Sequence, residues 1–160
     1  MKIGIVSDTH GFTDYVKEAL LDVHDLDLII HLGDYVKDAL ELEEELGVKV
    51  EYVRGNCDYD EVDIEQERIL EVEGKKIFMT HGHLYNIKMD LNRIFYRGQE
   101  LNCDIILFGH SHIPTKVIKQ DIIILNPGCA AIPRGRSNKI MGIIEITNGE
   151  IESEIITIDQ

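Results

Sequence analysis

Short apolar runs alternate with segments of helical spacing through the first third of the chain. Residues 2–7 predict a buried strand, with Ile3, Ile5 and Val6 around Gly4. Over residues 13–23, Val16, Ala19, Leu20 and Val23 recur at helical spacing and share one face. Leu28 to His31 predicts a second strand, Val36 to Leu46 a second helix, and Val48 to Val53 a third strand. Glu41, Glu43, Glu44 and Glu45 read as the solvated face of that helix, and Gly47 is placed to end it.

Hairpins dominate the remainder of the chain. Arg68 to Val72 and Lys76 to Thr80 flank Glu73-Gly74. Ile87, Leu91, Ile94, Phe95 and Leu101 predict a third helix, with Gly98 as its weak point. Asp104 to Phe108 reads as a buried strand, and Val117 to Lys119 with Ile122 to Leu125 as a hairpin. Lys139 to Thr147 and Glu150 to Ile158 flank Asn148-Gly149, a type I′ turn signal. Buried parallel strands account for the near-continuous apolar runs. Early strand–helix–strand units followed by hairpins predict an α/β fold: one mixed sheet layer, or two sheets packed together, with helices outside.

Composition narrows the class. The 160 residues fit one domain over 1–160, large enough to bury a two-sided core without staples. The formal net charge of −14 opposes binding to long nucleic acid or an anionic membrane, although cations in one cleft would reverse the local potential. Cys57, Cys103 and Cys129 form no C-x-x-C pair, and reduced thiols in a cytoplasmic protein are the simplest reading. The apolar run after Met1 stops at Asp8, short of a signal peptide's core, and no stretch approaches the ~20 apolar residues of a membrane span.

The chemistry stands at the strand ends. Successive buried strands end in Asp8-Thr9-His10, Gly33-Asp34, Gly55-Asn56-Cys57-Asp58, His81-Gly82-His83 and Gly109-His110-Ser111-His112. Parallel strands bring their carboxyl ends to one edge, so these clusters should converge. Carboxylate, amide oxygen and imidazole together suit borderline divalent metals. In Asp8-x-His10 and His110-x-His112, an extended backbone would point alternate residues the same way. The glycines before Asp34, Asn56 and His110 would let the chain turn sharply toward a metal.

This ordered set resembles the calcineurin-like metallophosphoesterase superfamily, and Gly55-Asn56-Cys57-Asp58 with Asn126-Pro127-Gly128 resembles its YfcE-like phosphodiesterase branch. The resemblance implies a four-layer α/β/β/α sandwich of two mixed sheets. It implies that Asp8, His10, Asp34 and His112 hold one divalent cation and Asp34, Asn56, His81 and His110 a second, with Asp34 bridging. Mn²⁺ leads Ni²⁺, Fe²⁺ and Zn²⁺ as the candidate metal. The implied reaction is hydrolysis of a small phosphate ester by a hydroxide held between the metals, and Cys57 adds an expected preference for activated diesters. Asp34, Asn56 and Asp58 are the catalytic candidates: Asn56 as a neutral ligand, Asp58 orienting a ligand from behind. Cys57 departs from the His that many members carry there to protonate the leaving group, and a thiol is a poor substitute near neutral pH.

Milder roles are expected elsewhere: His24 on the surface, His31 packed and hydrogen-bonded, Cys103 and Cys129 buried, and Asn126-Pro127-Gly128 a turn beside the site. His83, Tyr85 and Lys88 are open between lining the cleft and serving structure, and Arg134 and Arg136 between gripping phosphate and a solvated loop, the latter slightly favoured. A non-catalytic scaffold of the same fold, like the related retromer subunit with its degraded metal site, is the principal alternative. A phosphomonoesterase or nuclease is another. The full complement of ligand types favours an enzyme, and a homodimer is compatible with the resemblance.

Overall fold

The computed structural model describes residues 1–131 and 138–158. Strands β1 (Lys2–Val6), β2 (Leu28–His31) and β3 (Val50–Tyr52) run parallel. β9 (Ile140–Thr147) pairs antiparallel with β1, and β10 (Glu150–Thr157) with β9, giving the order β10-β9-β1-β2-β3. The second sheet has β5 (Lys75–Thr80), β6 (Ile105–Leu107) and β8 (Ile122–Asn126) parallel. Antiparallel edges come from β4 (Glu67–Val72) and β7 (Thr115–Lys119), in the order β4-β5-β6-β8-β7. Helices α1 (Asp14–Leu21), α2 (Val36–Leu46) and α3 (Asn92–Glu100) complete the described elements.

Side-chain alternation builds the layers. Ile3, Ile5 and Ile30 of the first sheet face Ile77, Met79, Leu107 and Leu125 of the second. The intervening residues turn outward: Val6 and Ile29 pack with Val16 and Leu20 of α1 and Ala39 and Leu42 of α2. Phe78, Ile106 and Ile124 pack with Ile94 and Phe95 of α3. Both faces of each central strand are therefore dry, which is why these strands read as unbroken apolar runs. Each such fully buried side chain contributes roughly 1.5–3 kcal/mol. The result is the α/β/β/α sandwich that the resemblance implies.

Three turns have both central residues at positive φ, as type I′ hairpins require: Glu73-Gly74 (49° and 75°), Gln120-Asp121 (47° and 64°) and Asn148-Gly149 (52° and 81°). Gly47 caps α2 at φ 66°, its N–H bonded to the Glu43 carbonyl.

The third helix departs from the expectation. Ile87 lies in a run of turns, and the helix begins only at Asn92. Turn and helix share an apolar spacing because both cover the outer face of the second sheet. Gly98 keeps the propensity cost expected of it and also has a packing role in α3. It is buried, and a Cβ there would lie 2.2 Å from Ile106 Cδ1, so its bareness sets how closely the helix approaches. Among the described residues, no helix is long and apolar enough to cross a membrane.

Candidate metal centre

The loops leaving β1, β2, β3, β5 and β6 meet at one edge of the sandwich and are laced together by their backbones. Asp8 N–H donates to the Gly33 carbonyl (3.1 Å) and His10 N–H to that of Asp34 (3.2 Å). Gly109 N–H donates to the His81 carbonyl at 2.9 Å. The sheets are tied to each other where His81 Nδ1 meets the Leu32 carbonyl (2.6 Å) and Cys129 Sγ meets that of Asp8 (3.3 Å).

The ligand loops are not extended. Asp8, His10, Asp34, His110 and His112 all have positive φ, between 47° and 65°. That region is uncommon for residues with a Cβ, and such conformations gather at functional sites where the surroundings enforce them. The side chains converge because tight turns aim them, which corrects the expectation of alternating extended residues. The glycines also act in two ways. Gly33 takes φ +97°, the sharp turn anticipated before Asp34. Gly55 and Gly109 are required for space: a Cβ would lie 2.1 Å from Asp34 Oδ1 in the first case and 2.0 Å from Ser7 Oγ in the second.

Two buried carboxylates share one design. Asp8 Oδ2 accepts from Ser7 Oγ (2.6 Å) and His110 N–H (3.2 Å), and Oδ1 faces the centre. Asp34 Oδ1 accepts from Cys57 N–H (2.9 Å), and Oδ2 faces the centre. His112 Nε2 lies 3.1 Å from Asp8 Oδ1, with His10 and His81 Nε2 each at 3.9 Å. Asp34 Oδ2 lies 3.3 Å from His81 Nε2 and 3.8 Å from His10 Nε2. Donation of the His81 Nδ1 proton to Leu32 leaves Nε2 to face the carboxylates. The His10 and His112 rings stand 5.5 Å apart, and those of His81 and His110 5.2 Å apart.

The electrostatics follow from this crowding. Burial alone would raise Asp34 and Asp8. Hydrogen bonding and charge from His81 hold Asp34 below the ordinary carboxylate range, and His112, His81 and Ser7 do the same for Asp8. Burial opposes a charge on His81, yet the two carboxylates raise it. Asp8, with Cys129 second, pushes His112 up to about 10. His110 falls to about 4, chiefly through burial and then through His81 and Lys88. The carboxylates that raise His81 and His112 would equally favour a metal cation among these side chains.

The donor set fits divalent metal. Asp8 Oδ1, His10 Nε2 and His81 Nε2 are buried and lack a well-aligned hydrogen-bond partner. Ligand bonds of ~2.0–2.2 Å place neighbouring donors roughly 3–3.5 Å apart, close to the contacts above. Donor atoms lie within 4.8 Å of one another in three groups: Asp8, His10 and His112; Asp8, Asp34 and His81; and His10, Asp34 and Cys57. Asp8 and Asp34 each belong to two of these groups.

The other expected residues take varied positions. Asp58 is buried behind Asp34 and accepts its N–H. Asn56 is exposed on the turn around Asp34, and its amide donates to Cys57 Sγ at 3.7 Å. Cys57 stands in the site as its sequence position implied, within reach of His10 and Asp34, its thiol pushed up to about 11 by burial and then by Asp34. His83 packs 5.6 Å from His81, ring to ring. His24 is exposed, while Cys103 and Cys129 are buried. Arg134 and Arg136 lie outside the described residues. Asn126 does more than turn the chain: its Nδ2 binds the Gly109 carbonyl (3.0 Å) and Ser111 Oγ (2.9 Å), fixing the His110 loop.

Sequence reading passed over Ser7, Leu32 and Arg54. Only Arg54 carried a signal, as a guanidinium directly before Gly55-Asn56. Its Nε is buried without a partner, as is His83 Nδ1.

Comparison with known proteins agrees with this geometry. The family model described as the calcineurin-like phosphoesterase superfamily domain matches residues 1–149, and the chain belongs to that family. It is 36% identical to the probable metallophosphoesterase YsnB of Bacillus subtilis, over 92% of this chain and 86% of that protein. It is 30% identical to the phosphodiesterase YfcE of Escherichia coli strain K12, over 91% and 88%. A crystal structure of a predicted phosphoesterase from Streptococcus pneumoniae superposes with a TM-score of 0.82 at 30% identity, covering 98% of this chain and 88% of that one.

Proposed function

We propose that this phosphoesterase is a phosphodiesterase that hydrolyses a small, activated diester with two divalent cations. One observation carries the reading. Asp8 and Asp34 each spend one oxygen on protein donors and turn the other toward imidazole nitrogens, where buried donor atoms stand unsatisfied. A relative of similar length is named a phosphodiesterase, which supports the diester.

Asp8, His10, Asp34 and His112 would hold one cation, and Asp34, Asn56, His81 and His110 the other. Asn56 joins by turning its exposed amide away from Cys57. Mn²⁺ is the leading candidate. When bound, such a pair supplies a hydroxide as nucleophile and neutralises charge on the phosphate.

The chain's own residues supply the rest. Ser7 and the His110 N–H fix the Asp8 carboxylate, and the Leu32 carbonyl fixes the His81 tautomer. Asp58 fixes the Asp34 backbone. Asn56 is neutral and adds no negative charge to repel the substrate. Arg54 Nε and His83 Nδ1 are buried and unsatisfied beside these loops.

Hydrolysis of bis(4-nitrophenyl) phosphate before and after chelation tests this reading. Turnover should fall about a hundredfold or more and return with added Mn²⁺. Turnover that survives complete metal removal would contradict it. Assays on single- and double-stranded nucleic acid with Mn²⁺ separate a nuclease from the small-diester enzyme.

A further inference from the structure

A cavity of about 300 Å³ opens beside the histidine loops and has no part in holding metal. Ile87, Leu91, Phe108 and Ile113 line it, with Ser111 and Lys88. Its lining is continuous with the centre along the chain: Ser111 separates His110 from His112, Ile113 follows His112, and Phe108 precedes Gly109-His110.

The cavity offers few hydrogen-bonding groups. Ser111 Oγ already accepts from Asn126 Nδ2 (2.9 Å) and Ile113 N–H (3.2 Å). The hydroxyl of Thr115, which also lines the cavity, donates to the Ile113 carbonyl at 3.2 Å. A polar group such as a sugar or glycerol would be desolvated there without partners, a net cost. An apolar group would cover Ile113, which is 60% exposed despite its place beside a metal ligand.

Lys88 is the exception to this apolar lining. It makes no hydrogen bond or ion pair among the described residues, in a chain of net charge −14. A cation without a protein partner among the described residues therefore lines the cavity.

We propose that this cavity is the subsite for the organic group of the ester, that it takes an apolar group the size of one aromatic ring, and that Lys88 bears on the phosphate's negative charge. The proposal rests on the phosphoesterase reading of the adjacent centre. A volume of about 300 Å³ is at the low end for small-ligand sites, which suits a single ring better than a polymer segment.

Phenylphosphonate and methylphosphonate test it, because their C–P bonds resist hydrolysis and both can be titrated calorimetrically into the metal-loaded protein. Phenylphosphonate should bind about tenfold more tightly. The ratio should fall to within about twofold of unity in Ile113→Asn and persist in Ile113→Leu. Lys88→Met should weaken both ligands about fivefold, leaving their ratio alone. Equal wild-type affinities, or a ratio that Ile113→Asn does not change, would overturn the subsite while the phosphoesterase reading stands. Failure of both phosphonates to bind would overturn both.

Discussion

Asp58 holds Asp34 by its backbone. One Asp58 oxygen accepts the Asp34 N–H at 2.9 Å and the Gly55 N–H at 2.7 Å, and the other accepts the Val36 N–H at 2.8 Å. A single carboxylate thereby joins the loop after β2, the loop after β3 and the first turn of α2. Asp58→Ala leaves three N–H groups unpaired, so urea unfolding should show a loss of about 2–5 kcal/mol. Metal affinity should also fall about 10–100-fold. Asp58→Asn keeps one good acceptor and should lie between. An Ala variant that binds metal like the wild type would refute this positioning role.

Gly98→Ala sets helix propensity against packing. Alanine gains about 1 kcal/mol of propensity in a helix interior. Its Cβ would meet Ile106 Cδ1 at 2.2 Å and Cγ1 at 2.7 Å, and Ile106 is fully buried. Overpacking of this kind costs about 1–3 kcal/mol, so the variant should be less stable by about 1 kcal/mol. A raised denaturation midpoint would show that α3 can shift outward freely.

His31 makes stability depend on pH. Its Nδ1 accepts from Gly33 N–H at 3.2 Å, which leaves Nε2 to donate to Thr9 Oγ1 at 2.9 Å. The ring is fully buried, and burial lowers it from 6.5 to about 4. The unfolded chain therefore binds a proton that the folded chain refuses. The resulting stability is fully present above about 6.5 and is lost as pH falls toward about 4, to a total of roughly 3 kcal/mol. Ring ¹⁵N shifts should show a neutral His31, protonated at Nε2, at pH 5.5. A charged ring at that pH contradicts the assignment.

Cys57 predicts a dependence on the leaving group. It stands beside Asp34, to which its N–H donates, and its thiol is pushed up to about 11. Among diesters sharing one non-reacting group, those with phenolate leaving groups should turn over much faster than those with alkoxides, chiefly in kcat. Cys57→His should narrow that gap. Equal wild-type rates would remove the argument.

Legibility in the sequence followed the range of the interaction. Alternation in Ile77-Phe78-Met79 and Ile105-Ile106-Leu107 announces strands buried on both faces, and the turn at Asn148-Gly149 announces its hairpin. The convergence of Asp8, Asp34, His81 and His112 was readable because parallel strands leave their ends on one edge. The supports were not readable. Leu32 reaches His81 across the two sheets, and Cys129 reaches the Asp8 carbonyl from the far end of the chain. Positive φ at His10 or His112 leaves no mark when the residue is not glycine. The packing role of Gly98 was not readable, because the bareness that weakens an isolated helix also lets this one pack.

Calorimetric titration of Mn²⁺ into the chelator-treated protein tests the central claim most directly, with Asp34→Ala measured alongside. Two equivalents should bind the wild-type chain, and the loss of Asp34 should weaken both sites together, because its carboxylate stands between His10 and His81. No uptake by the wild type, or uptake that Asp34→Ala leaves unchanged, would contradict the account.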